Sequence, residues 1–353
     1  MKHIIGRNPL PASPEVKWVE VDTESAGQRL DNFLLRQLKG VPKTHVYRII
    51  RSGEVRVNKG RATADSRVAA GDLVRVPPVR QSERALEKAQ VMAAAVSGLT
   101  ASTTPAREFP VLFEDEAVLA VDKPAGVAVH GGSGVSFGVI EQLRMARPQA
   151  KFLELVHRLD RETSGVLLVA KKRAALQHLQ DQFRERETGK TYLALVSGQW
   201  PLNKKVLDRP LHKYLQADGE RRVRVVARDD PQGMRAVTLV KVRARSGGAV
   251  GAAAAGYSLL EVTIKTGRTH QIRVHLAAEG MPIVGDDKYG DFELNKALQK
   301  PSAEPGQTPL RRMFLHAWRL QFRHPASGDG IELLCPLPPE LAHFVTQVLP
   351  EHR

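Results

Sequence analysis

The strongest constraint on the fold is a break in texture between about residues 79 and 108. Before it the chain is short in period and strongly basic; after it, apolar strand-like runs alternate with helical patterns to the C-terminus. The break follows Pro77-Pro78 and holds Ser97-Gly-Leu-Thr-Ala-Ser-Thr-Thr-Pro105, the composition of a linker rather than of a packed element. Only a short helical stretch over 83–95 interrupts it. Two hydrophobic patterns separated in this way read as two cores. The chain therefore divides into an N-terminal tail (1–28), a small unit (29–78), the linker (79–108) and a large unit (109–353).

In the small unit, Leu30, Phe33, Leu34 and Leu38 recur on one face of a helix over 29–38, which Gly40 and Pro42 end. A second helix over 43–51 is followed by a short strand at 54–58, a Lys-Gly turn and another strand at 73–76. Between Arg29 and Arg80 there are twelve Lys or Arg against four Asp or Glu, a net of +8 and more than half of the whole chain's +15. Lys43, Tyr47 and Arg51 fall at i, i+4 and i+8 with Arg48 alongside, so cations and an aromatic ring share one solvent-facing stripe. Such a stripe suits a phosphate backbone.

The overall charge and a pI near 10.1 point to a polyanionic partner. Nucleic acid is favoured over membrane, because no run of about 18 apolar residues is present and the first residues lack the apolar core of a signal peptide. A reducing, cytoplasmic location and a monomer are expected. The single Cys335 can form no internal disulfide and no cysteine-based metal site.

The large unit reads as an α+β domain with strands at 117–121, 165–170, 192–196, 222–226, 237–242 and 258–264. A helix at 174–186 carries Leu176, Leu179 and Phe183 on one face and ends before Gly189. The Gly/Ala-rich stretch 247–256 reads as a surface loop. Two segments hold the chemistry. His157-Arg158-Leu159-Asp160-Arg161-Glu162-Thr163-Ser164-Gly165 is expected to follow a helix and to form a loop before an apolar strand. In an extended chain Arg158 and Asp160 face one side and Leu159 the other. Gly267-Arg268-Thr269-His270-Gln271-Ile272-Arg273-Val274-His275 opens a helix that Gly280 ends, with Thr269 as the expected N-cap. It gathers Arg268, His270 and Arg273 where a helix N-terminus favours an anion.

These two segments, in this order, resemble the signature motifs of the RluA-type pseudouridine synthases. The resemblance extends to Asp122-Lys-Pro-Ala-Gly126, to Lys190-Thr-Tyr-Leu-Ala-Leu-Val-Ser-Gly198 and, in the small unit, to the S4 RNA-binding domain. His130-Gly-Gly-Ser-Gly134 followed by Ser136-Phe-Gly-Val-Ile-Glu141 is most similar to the RluC branch, which modifies large-subunit ribosomal RNA. Glu162 stands where the family usually has Asp.

The resemblance implies an S4-like domain followed by a synthase domain with a mixed, largely antiparallel sheet and flanking helices. It implies site-specific isomerisation of uridine to pseudouridine in 23S ribosomal RNA, without cofactor or metal, in the bacterial cytoplasm. It makes Asp160 the catalytic aspartate, Arg273 its ion-pair partner, Tyr192 the ring on the uracil and Arg158 the filler of the gap left by the extruded nucleotide. His157, Arg161, Arg268, His270 and Ile272 are expected to bind substrate beside them, and Lys43, Tyr47, Arg48 and Arg51 to grip RNA.

Other readings are weaker. His270 and His275 are five apart, so they do not share a helix face as zinc ligands would. Gly189-Lys190-Thr191 lacks the earlier glycine of a phosphate-binding loop, since Arg184 stands there. Gly131-Gly132-Ser133-Gly134 only loosely fits a dinucleotide turn. A synthase acting on transfer RNA and a non-catalytic RNA-binding assembly factor remain as alternatives. Asp160 with Arg273 and Tyr192 separates the enzyme from the binder, because a carboxylate in an RNA cleft repels phosphate.

Overall fold

The computed structural model describes residues 16–22, 25–38, 41–79, 106–131, 137–216, 219–246, 256–300 and 308–349. The linker helix expected over 83–95 and nearly all of the loop expected at 247–256 lie outside the described residues. The chain falls into two compact units that divide at Thr103/Thr104.

In the first unit, α1 (Leu30–Gln37) and α2 (Lys43–Arg51) pack over a small antiparallel sheet. The sheet has the order β1-β3-β2, from β1 (Lys17–Glu20), β2 (Arg56–Val57) and β3 (Leu73–Val76). The periodicity is realised in the packing. Leu30, Phe33, Leu34 and Leu38 are buried against Val46, Ile49 and Ile50 of α2, and Val55, Val68, Val74 and Val76 complete the core. Strand β1 falls in the stretch read as tail; Lys-Trp-Val-Glu is too short and too polar to stand out, and only its pairing to β3 makes it a strand. The turn after β2 places Asn58 and Lys59 at φ 48° and 68°, the left-handed pair that a tight hairpin needs.

The second unit is built on a ten-stranded sheet. Its path runs β4 (Val111–Glu114), β5 (Val118–Lys123), β7 (Ser164–Ala170), β14 (Leu315–Arg323), β8 (Gly189–Ser197), β13 (Tyr257–Ile264), β12 (Val237–Arg245) and β9 (Val206–Asp208). Strand β6 (Glu154–Leu155) pairs with β7 and β15 (Gly330–Leu334) with β14. Every pairing is antiparallel except β14 with β7, so the sheet is mixed and largely antiparallel. A separate hairpin joins β10 (Leu211–Leu215) to β11 (Arg221–Val225).

Among the described residues, five helices flank this architecture: α3 (Val139–Ala146), α4 (Arg173–Glu185), α5 (Gln271–Ala278), α6 (Phe292–Leu298) and α7 (Pro339–Val348). Strand β7 is buried at all seven positions, which explains the apolar run from Val166 to Ala170. Helix α4 ends at Arg186, itself left-handed at φ 65°, rather than at Gly189. Gly189 opens β8, where a side chain would strike Gln321 at 2.4 Å. Because β7, β14, β8 and β13 are successive in the sheet, the loop before β7, the face of β8 and the loop after β13 come within side-chain reach.

Candidate active site

The Asp160 loop follows the short strand β6, not the helix expected there, and its shape is set from below. Lys123, wholly buried, donates to the carbonyls of Pro124 at 2.7 Å, Val127 at 2.8 Å and Arg161 at 3.0 Å. The Gly126 N–H donates to the same Arg161 carbonyl at 2.9 Å. Burial pulls the Lys123 pKa down to about 7, opposed by the charges of Glu162 and Asp160. Leu159 is buried, Arg158 points to solvent, and the Thr163 N–H donates to the Asp160 carbonyl at 3.1 Å, closing a tight turn. Gly165 then enters β7 at φ 111°, where any Cβ would lie 2.2 Å from the Ala317 carbonyl oxygen. The Asp160 carboxylate is left at the mouth of a cavity, about a quarter exposed.

The opposite wall comes from the start of α5. Thr269 is not its cap: His270 occupies the N-cap position in a left-handed conformation, φ 52°, without a side-chain capping bond. The Gln271 side chain organises this turn instead, its Oε1 accepting from Thr266 Oγ1 at 2.7 Å and from the Arg268 N–H at 3.1 Å. Its amide donates to the Val237 carbonyl and to Thr238 Oγ1, both at 3.0 Å.

One turn on, Arg273 is 4 % exposed and bound in a fork by Asp286, Nε to Oδ2 at 2.7 Å and Nη2 to Oδ1 at 2.6 Å. Burial alone would lower its pKa, but the hydrogen bonds and charge of Asp286 outweigh that and the net direction is up. Burial raises the Asp286 pKa, but Arg273 and the N–H groups of Tyr289 and Lys288 together outweigh it, so the carboxyl lies below its ordinary range. Asp160 therefore receives only the third guanidinium nitrogen, Nη1 to Oδ2 at 3.6 Å, while His270 Nε2 lies 3.7 Å from the same oxygen. The expected Asp160–Arg273 pair is real but secondary. A cation already gripped by Asp286 stands behind Asp160 without saturating its oxygens.

Between these walls is a cavity of about 70 Å³ lined by Asp160, Tyr192, Arg268, His270, Ile272 and Arg273, among others. Tyr192 projects from β8 beneath Asp160, and burial, then the charge of Asp160, push its pKa well up, so it stays a neutral phenol. Ile272 is buried and supplies an apolar side. Burial pushes the His270 pKa down against the pull of Asp160, and Arg273 pushes it the same way.

Two expected contacts are not made here. His157 turns away from the cavity: its Nε2 accepts from the Leu168 N–H at 3.1 Å and its ring stacks on Phe183 at 4.8 Å. An imidazole committed to a strand amide, with its pKa lowered to about 4 chiefly by burial, is a support of β7 rather than a substrate ligand. Arg161 sends its side chain to Glu162 at 2.7 Å, and its part in the site is its carbonyl. Asp286 is the residue that sequence reasoning missed. Its signal was the acidic turn Gly285-Asp-Asp-Lys-Tyr-Gly290 just beyond α5. Among the described residues, no group of three or more His, Cys, Asp or Glu is placed to hold a metal, and no helix is long and apolar enough to cross a membrane.

In the first unit, Lys43, Tyr47, Arg48 and Arg51 lie exposed along α2. Tyr47 is anchored by donating to Asp31 Oδ2 at 3.0 Å, and Arg48 lies 3.6 Å from Glu54. Tyr47, Arg51 and Arg61 border a surface pocket of about 490 Å³.

Known proteins resemble the chain along both units. The RNA pseudouridylate synthase family model matches residues 117–278, and the S4 domain model matches residues 28–74. The chain is 48% identical over 326 residues to ribosomal large subunit pseudouridine synthase C of Pasteurella multocida, covering 92% of each chain. To the protein of the same name from Escherichia coli K12 it is 49% identical over 325 residues, covering 92% of this chain and 94% of that protein. The solved structure of human RNA pseudouridylate synthase domain containing 1 superposes with a TM-score of 0.53 at 26% identity, covering 68% of this chain and 89% of that one.

Proposed function

The chain belongs to the RNA pseudouridylate synthase family, and on that premise we propose that it isomerises specific uridines of large-subunit ribosomal RNA with Asp160 as the catalytic residue. The reaction breaks the N1–C1′ bond, turns the base and joins C5 to C1′; the C5 hydrogen leaves to water and N1 gains one. It needs neither redox change nor metal. It needs a carboxylate beside the ribose, either to attack C1′ or to take a proton from C2′. The observation that carries the reading is the Asp160 carboxylate at the mouth of a cavity walled by Tyr192 and Ile272, with Arg273 3.6 Å behind it.

The remaining residues take roles by their positions. Tyr192 lies against the uracil, Ile272 closes the apolar side, and Arg268 and His270 face the ribose and its phosphates. The exposed Arg158 is free to fill the stack after the target base leaves it, a step that costs a few kcal/mol. Arg161 shapes the catalytic loop through its carbonyl, which accepts from Lys123. Lys43, Tyr47, Arg48 and Arg51 supply affinity through phosphates, and the protein works as a cytoplasmic monomer on RNA.

The test uses large-subunit ribosomal RNA transcribed without modifications, with pseudouridine mapped by carbodiimide labelling and reverse-transcription stops. New stops at a few uridines are expected. Stops on transfer RNA alone would overturn the substrate, and no stops on either would overturn the reaction.

A further inference from the structure

We infer that Tyr289 is a positioning residue of the site: its hydroxyl fixes His270 in the tautomer that turns an N–H toward Asp160. The inference rests on the reading of Asp160 as the reactive carboxylate. Tyr289 comes from the acidic turn after α5 and does not itself line the Asp160 cavity. Its Oη accepts from the Val223 N–H of β11 at 3.1 Å and lies 2.9 Å from His270 Nδ1.

Donor counting then sets the direction. A phenol has one proton, and with its oxygen already accepting from a backbone amide, that proton is directed to Nδ1. The opposite tautomer would leave the hydroxyl proton without this acceptor and turn a lone pair of Nε2 toward the Asp160 oxygen 3.7 Å away. Both ends of the imidazole thus favour the proton on Nε2. Burial raises the Tyr289 pKa to about 12, against the Val223 N–H and the Arg273 charge, which lower it, so the hydroxyl keeps its proton at any working pH.

The ring contributes beside the hydroxyl. Its edge meets the His270 ring at 5.5 Å and 67°, and the Arg273 guanidinium carbon lies 5.2 Å from its centroid. His270 needs such support, because a non-glycine residue at φ 52° holds a sparsely populated conformation. The turn is pinned in its own right: Asp286 Oδ1 accepts from the Lys288 N–H at 2.8 Å and from the Tyr289 N–H at 3.0 Å, besides Arg273. One buried carboxylate therefore orients both groups that face Asp160, Arg273 directly and His270 through Tyr289.

The test is Tyr289→Phe in the full chain, which keeps the ring and removes the hydroxyl, read in two ways. Tritium release from RNA carrying uridine labelled at C5, in single turnover with excess enzyme, should slow about tenfold at unchanged RNA affinity. In a His270→Gly background, where glycine takes the left-handed backbone without strain, the same change should cost less than twofold. Histidine ¹⁵N resonances should give His270 as the Nε2–H tautomer in the wild type, lost in Tyr289→Phe. A wild-type rate in Tyr289→Phe, an equal cost in both backgrounds, or an Nδ1–H tautomer would each overturn the inference. A wild type that releases no tritium would instead overturn the function proposed above.

Discussion

The two units hold their cations in opposite ways. Along α2, Lys43, Arg48 and Arg51 stand in solvent, and the Arg48 side chain is 60% exposed even with Glu54 3.6 Å away. On α5, Arg273 is nearly inaccessible and gripped by Asp286. The same residue type therefore does two kinds of work. An exposed stripe contributes little to stability, and its attraction for a polyanion falls steeply with salt. A buried guanidinium is costly to desolvate, is offset only by its own carboxylate, and is screened little by salt. The first arrangement is suited to holding RNA and the second to holding one aspartate in place.

The sharpest way to break this contrast is Asp160→Asn, which should lower turnover roughly 10³-fold or more while RNA affinity stays at the wild-type level. Next, Asp286→Ala should strip the buried Arg273 of its forked partner, leaving only Asp160 at 3.6 Å and the exposed Asp287 at 3.4 Å. It should cost about 3–5 kcal/mol in stability by denaturant unfolding and most of the activity besides. Arg273→Ala should likewise lose most turnover with RNA binding retained, and full activity in either variant would separate the pair from the chemistry.

A smaller effect is expected in the first unit. Replacing Lys43, Arg48 and Arg51 together by Ala should flatten the slope of log affinity against log salt by about two, with the melting temperature hardly changed. An unaltered slope would remove the stripe from RNA binding.

The smallest effect concerns His157. Its folded pKa, about 4, lies below the ordinary value of 6.5, so the unfolded state binds more protons between those values. Its contribution is complete above pH 6.5 and is lost as pH falls toward 4. His157→Gln should make the melting temperature less dependent on pH across that window, and an unchanged dependence would contradict a neutral His157.

Much of this arrangement is legible in the sequence, for identifiable reasons. The helix faces of α1 and α2 follow from period alone, and β7 from its apolar run. Asp160, Tyr192 and Arg273 stand in short linear motifs, so their neighbourhood can be named before any fold is known. Asp286 cannot be found that way, because its bond to Arg273 spans thirteen residues and depends on how the chain turns back after α5. His157 misleads for the complementary reason: adjacency to Asp160 in sequence says nothing of a ring that β7 and Phe183 draw to the other side. The cap of α5 fails similarly, since the side-chain bonds of Gln271 outweigh the local preference for Thr269. Strand β1 is invisible until β3 pairs with it.

The central claim is that binding and chemistry reside in separate, differently built cation sites. The most direct measurement is single-turnover tritium release, with RNA affinity, for Asp160→Asn and for the Lys43/Arg48/Arg51→Ala variant on the same C5-labelled large-subunit RNA. The account predicts that Asp160→Asn binds as tightly as wild type and releases no tritium, while the triple variant binds more weakly but reacts at the wild-type rate once saturated. Substantial release by Asp160→Asn, or a slow chemical step in the saturated triple variant, would contradict it.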